Sequence, residues 1–226
     1  AQKIRRLVRE KGYHYRDIAV ICSDMGTYAD HLERVCTEYQ IPVFMDYKKS
    51  ILLNAFVEYV RSVLSMVEQD FSYESVFRFL RTGFTEFTRD EIDRLENYVV
   101  AVGLRGYKKW QAVWARKTSS ADEEELAVLN GLRVRFVEMT ESLVFVLKQR
   151  KKTVRDICEA VYRFFVENQI QEKLKVMENC FAEKKELALA KEYAQIYRIV
   201  LELFDKFAEL LGCLLYTSDA ADDLTR

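Results

Sequence analysis

Ile18-Ala19-Val20-Ile21-Cys22, a helical pattern from about Thr27, and Pro42-Val43-Phe44-Met45 carry the decision about fold. Each short apolar run is rich in β-branched residues, as in a buried parallel strand. Between them Tyr28, Leu32, Val35 and Tyr39 share one helix face. The pattern predicts a strand-helix-strand unit. Before it, a polar helix pattern ends at Lys11-Gly12; after it, from Asn54, the pattern is helical throughout. Phe56, Val60, Val63 and Val67 form one stripe and Val76, Phe77 and Leu80 the next. The expected fold is therefore mainly α with a small α/β part, followed by a helical bundle.

Punctuation downstream supports this. Thr88-Arg89-Asp90-Glu91 has the form of a capping box, in which Thr and Glu satisfy each other's free amides, and Ile92, Leu95, Val99 and Val102 follow as an apolar face. Gly103 and Gly106 break that helix. Lys117 to Glu125 reads as a loop before a long helix through Leu126, Leu129, Phe136, Met139, Leu143 and Leu147, ending near Gln149-Arg150-Lys151-Lys152. Thr153-Val154-Arg155-Asp156 reads as a further N-terminus, with Ile157, Val161 and Phe164 inward. The last helix uses Leu187, Ala190, Ala194, Tyr197, Leu201, Phe204 and Ala208. The expected domains are 1–82, 83–212, and a tail at 213–226 that resembles the translation of a sequencing-library adapter and is set aside as non-native.

The chain has 226 residues, half of them apolar, with 35 basic and 36 acidic side chains. It can bury a core, and it has no overall basic field, so nucleic-acid binding would have to be local. One Pro and 7 Gly are too few for a chain of many short strands. No run of about 18 apolar residues exists, and the N-terminus lacks a signal-peptide pattern, so a cytoplasmic location is expected. The chain starts without Met inside a helical pattern and reads as an internal piece of something longer.

Familiar catalytic patterns are missing. There is no Gly-Lys pair of a phosphate-binding loop. Asp90-Glu91-Ile92-Asp93 opens a helix where an acidic Mg²⁺ box should end a strand, and Glu183-Lys184-Lys185 lacks the strand context of a nuclease motif. His14 and His31 have no nucleophile at a recognisable spacing. The five cysteines are scattered and suggest neither a disulfide framework nor a metal site. No catalytic residue and no metal ligand is expected here, which disfavours a stand-alone α/β enzyme.

Arg16 to Cys22, Tyr28, Leu32-Glu33 and Ile41 to Met45 resemble the opening of the second RecA-like domain of UvrD-type superfamily 1 helicases, and Ile51 to Leu64 continues the match. Ile51-Leu52-Leu53-Asn54, Phe71-Ser72-Tyr73-Glu74, Phe77 to Phe84 and Asp93 to Val99 resemble more narrowly the AddB (RexB-like) subunit of bacterial helicase–nucleases. The resemblance implies a partial RecA-like domain 2A followed by a helical 2B-like domain. It implies a complex with an AddA-type subunit that processes double-strand DNA ends for recombinational repair. ATP, Mg²⁺ and a 4Fe-4S cluster would be bound outside this stretch. Active motors of this type place an Arg after the first strand of the domain to meet the γ-phosphate. Here the segment is Cys22-Ser23-Asp24-Met25, and an anionic Asp24 beside Ser23 implies a degenerate half-site.

Phosphates need cations and splayed bases stack on aromatic rings, so local basic-aromatic clusters are the candidate DNA contacts. Arg78 and Arg81 flank Phe77, Phe79 and Phe84. Arg105, Tyr107, Lys108, Lys109 and Trp110 lie beside flexible glycines, and Arg150, Lys151 and Lys152 follow Lys148 at a helix C-terminus, where cations are favoured in any case. The alternative is a helical interaction module whose apolar faces dock a partner subunit without touching DNA.

Overall fold

In the computed structural model, residues 1–45, 50–118 and 121–211 are described, together with the backbone of 215–217. They divide into two compact units, Ala1–Ser50 and Ile51–Arg226. Among the described residues no helix is long and apolar enough to cross a membrane.

In the first unit α1 (Gln2–Lys11) is stopped by Gly12 at φ 72°, whose N–H caps the Leu7 carbonyl. A 3-10 turn at Tyr15–Asp17 follows. Then α2 (Met25–Glu38) starts at Asp24, whose carboxylate accepts from the Thr27 N–H and hydroxyl and is held below its ordinary pKa by those bonds. The expected strands are not shown: residues 18–22 and 41–45 carry no regular secondary structure and belong to no ladder among the described residues. A strand requires a hydrogen-bonded neighbour for its N–H and C=O groups. Neither run has one among the described residues, and Ile21 (95% exposed) and Phe44 (89%) face outward. In place of the strand-helix-strand unit expected from the sequence, the described residues of this unit show two helices, a 3-10 turn and two segments without ladder partners. Asp46 to Lys49 lie outside the described residues.

The second unit is helical. Asn54 caps α3 (Ala55–Glu68), Ser72 caps α4 (Tyr73–Leu80), and Thr88 with Glu91 closes the anticipated capping box on α5 (Arg89–Val102), which ends at Gly103 with φ 67°. A short α6 (Tyr107–Gln111) precedes the long α7 (Glu123–Leu147). A second capping box, Thr153 with Asp156, opens α8 (Val154–Glu167) immediately after the short strand β1 (Lys151–Thr153). Helix α9 (Ile170–Glu183) and α10 (Leu187–Leu211) complete the unit, and β2 (Leu215–Thr217), within the tail read as foreign, pairs antiparallel with β1.

The second unit begins at Ile51, and within it α3 and α4 bury their apolar faces with α8. Phe56 meets Phe165 at 5.2 Å between centroids, while Tyr59 meets Phe79 at 5.1 Å, Phe84 at 5.5 Å and Phe164 at 5.8 Å. Such pairs contribute about 0.5–1.5 kcal/mol each beyond area burial. Phe77, Phe79, Leu80 and Phe84 are core residues. A second aromatic layer, Phe71, Tyr98, Tyr107, Trp110, Trp114 and Phe136, fastens α6 to α7.

Candidate nucleic-acid interface

The turn after α3 places a carboxylate beneath α6. Asp70 and Phe71 both adopt positive φ, 45° and 58°, conformations uncommon for residues with a Cβ. The Phe71 ring drops against Tyr107 (4.6 Å) and Phe136 (6.0 Å), which leaves the Asp70 carboxylate facing the start of α6. Its Oδ1 lies 3.5 Å from the Tyr107 N–H, and a Cβ on Gly106 would approach Oδ2 to 3.1 Å. Gly106 sits at φ 90°, so glycine serves here both for conformation and for clearance.

Two cations from distant stretches of sequence meet at this carboxylate. Lys148, the C-cap of α7, donates from Nζ to Asp70 and lies over the rings of Tyr107 (5.0 Å) and Phe71 (5.8 Å). Lys108 acts on the same carboxyl through space. The Lys148 hydrogen bond, with the fields of Lys148 and Lys108 and the Tyr107 N–H, holds Asp70 below the ordinary carboxylate range against the opposing effect of burial. Asp70 therefore links the Arg105–Lys109 segment to the end of α7, through Lys148, Lys108 and the Tyr107 N–H. Arg105, Lys108, Lys109, Arg150 and Lys151 are exposed there, whereas Lys152 is 7% exposed and donates to the Gln149 carbonyl.

The aromatic members are turned the other way. Trp110 is 1% and Tyr107 8% exposed, and the Trp110 ring packs 4.6 Å from Phe136. Neither presents a face on which a base could stack, which corrects the reading of these two rings as stacking residues. They pin α6, and Arg133 completes the attachment: this buried guanidinium donates to the carbonyls of Trp110 (2.8 Å) and Gln111 (3.2 Å) and to Asn130 Oδ1 (3.1 Å). Asn130 in turn accepts from the Trp114 N–H and donates to the Trp114 carbonyl, both at 2.9 Å. Nothing in the sequence marks Arg133 and Asn130, because a polar residue inside a long amphipathic helix carries no signal of where its head points.

The other basic pair is already engaged. Arg78 forms a two-pronged pair with Glu58, and Arg81 pairs with Glu96 and Asp93. Their charge is matched by carboxylates of α3 and α5, and the phenylalanines beside them are buried, so this cluster is a bracket across α3, α4 and α5. Ser23 and Asp24 lie at the N-terminus of α2, with Asp24 engaged as its cap. Among the described residues no three His, Cys, Asp or Glu side chains gather into a possible metal site.

No protein-family model matches the chain. Along 93% of its length it is 42% identical to the B subunit of the ATP-dependent helicase/deoxyribonuclease of Lachnoclostridium phytofermentans, of which the match spans 19%. It is 35% identical over 94% of its length to the corresponding protein of Clostridium acetobutylicum, and 37% identical over 93% to that of Clostridium novyi, matching 19% and 18% of those proteins. The chain is thus homologous, along nearly all of its own length, to one segment amounting to about a fifth of the ATP-dependent helicase/deoxyribonuclease B subunits.

Proposed function

We propose that this chain is a DNA-tracking segment of a helicase–nuclease subunit that processes double-strand ends beside an AddA-type partner, and that it binds DNA without catalysing a reaction on it. The observation that carries the reading is that Lys148, from the end of α7, and Lys108, from α6, both act on the Asp70 carboxylate, with Arg105, Lys109, Arg150 and Lys151 exposed in the same two basic segments. Such a surface suits a sugar-phosphate backbone, since Lys and Arg bind it mainly through charge and counterion release. ATP, Mg²⁺ and an iron–sulfur cluster belong, in this reading, to other parts of the longer protein. Asp24, spent on capping α2, supplies no cation to a nucleotide.

The test is binding of the whole chain to fluorescent single-stranded and forked DNA at two salt concentrations, beside an R105Q/K108Q/K109Q variant. Salt-sensitive binding that the variant loses is expected. A folded sample that binds neither DNA at low salt refutes the proposal. A second reading has its own observation: Ile199, Leu203, Phe207 and Leu210 leave an apolar stripe exposed on the last half of α10, which favours a face that docks a partner protein. Self-association relieved by L203E/F207E would support it.

A further inference from the structure

With Tyr107 and Trp110 committed to the core, the basic surface would hold phosphates but would have nothing to tell a strand with accessible bases from a plain polyanion. Phe145 fills that role. It lies in the last turn of α7 and is 71% exposed, although its neighbours Leu143 and Val144 are buried. The apolar face of α7 points at α6 and α8, and Phe145, one residue round from Val144, is turned out of it. Side chains three apart on a helix share one side. Phe145 therefore shares a side of α7 with Lys148, one turn on, whose ammonium reaches the Tyr107 ring. An exposed phenyl ring beside cations is a stacking platform, because every base offers a π-face and its flanking phosphates need counter-charge.

Resting on the DNA-binding reading above, we infer that Phe145 is the base-stacking residue of this surface, with Lys148, Lys108 and Lys151 holding the phosphates on either side, and that the ligand is single-stranded DNA. The acidic groups give the path a direction. Glu141, one turn upstream of Phe145, acts electrostatically on the Tyr107 hydroxyl, and Glu138 lies one residue short of a further turn back. A strand stacked on Phe145 therefore runs away from these carboxylates, towards Lys148 and Lys151. Asp70 stands between Lys108 and Lys148, so a phosphate bound there competes with its carboxylate for the Lys148 ammonium. A protein partner docking on Phe145 would gain little from Lys148 and the other exposed cations of the two basic segments, and a polyanion matches their charge.

The experiment compares, by fluorescence anisotropy at low salt, the binding of the whole chain to oligodeoxythymidylate and to an abasic strand of equal length. The unaltered protein is expected to prefer the strand with bases. F145A should lower affinity for that strand by about 5- to 150-fold, the range for loss of one stacked base, and leave the abasic strand unchanged. F145W should restore the preference, and K148Q should weaken both strands alike. A 2-aminopurine base in the strand should be quenched by the unaltered protein and by F145W but not by F145A. Retention of the base preference in F145A overturns the inference while leaving DNA binding intact. Equal loss on both strands also overturns it, marking Phe145 as structural. A folded protein that binds neither strand refutes the DNA reading and this inference with it.

Discussion

Replacing Asp70 with Asn separates stability from DNA binding, because the structure predicts opposite signs for the two. Asp70 sits at φ 45°, a conformation that Asn tolerates as well as Asp, so the backbone cost of the change is small. The amide can still accept from the Tyr107 N–H, but it cannot neutralise Lys148 or Lys108. The ion pair is largely exposed, with side-chain exposure of 38% for Lys148 and 63% for Asp70, and solvent screening limits its worth to about 0.2–1 kcal/mol. D70N should therefore lower stability by no more than about that amount, read as a small drop in urea midpoint at an unchanged slope. On the binding side, one phosphate gains a lysine previously occupied. Each added phosphate contact steepens the dependence of log K on log salt by about 0.7 for a single strand. Titration of the same fluorescent strand across a salt series should show D70N binding more tightly than the unaltered chain at low salt, with the two curves converging as salt rises. A folded D70N with unchanged or weaker affinity would refute the placement of the phosphates around Asp70, since removal of an anion from the contact surface cannot leave a polyanion indifferent.

The remaining predictions concern the scaffold. Tyr59 is fully buried among Phe79, Phe84 and Phe164, its hydroxyl has no hydrogen-bond partner among the described residues, and burial pushes its pKa far up; Y59F should be neutral or raise the thermal midpoint by a few degrees, corresponding to up to about 1 kcal/mol. R133M strands the carbonyls that hold the end of α6 and should cost about 2–4 kcal/mol in chemical denaturation, offset in part because a buried cation is removed. It should also weaken DNA binding by loosening Lys108 and Lys109. T88A removes the cap of α5 and should cost about 1 kcal/mol in the same assay. Asp70, Glu91 and Asp156 all have folded pKa values below their ordinary ones. At Glu91 burial pulls upward but is outweighed by Thr88 and Arg135, and at Asp156 the cause is Thr153. A depressed carboxyl contributes stability that is complete above its unfolded pKa and is lost as pH falls through the folded value. Acid titration followed by circular dichroism should accordingly show stability flat above about pH 5 and declining below about pH 4.

Sequence and tertiary structure divide the determination of this molecule along the range of the interactions involved. Helix boundaries that depend on a few adjacent residues were legible: Thr88 with Glu91, Thr153 with Asp156, and the left-handed stop at Gly103 all stand where the pattern placed them. Helix α9 obeys the same logic, since Ile170, Leu174, Met177 and Phe181 repeat at helical spacing, although it is absent from the helices expected above. Residues 18–22 and 41–45 have strand composition, yet a strand is made by its neighbours, and composition cannot supply them.

The candidate site divides in the same way. That Arg105, Lys108, Lys109 and the run after Lys148 carry local positive charge is plain from the residues. Their union is not, because Asp70, which joins Lys148 to α6, is 78 positions distant from it in the chain. Nor could spacing tell that Arg78 and Arg81 would find Glu58, Glu96 and Asp93 on other helices, or that Tyr107 and Trp110 would turn inward while Phe145 turned out. A side chain's type is written in one residue, but the face it shows to solvent is decided by which helices pack beside it, and that is a property of the assembled fold alone.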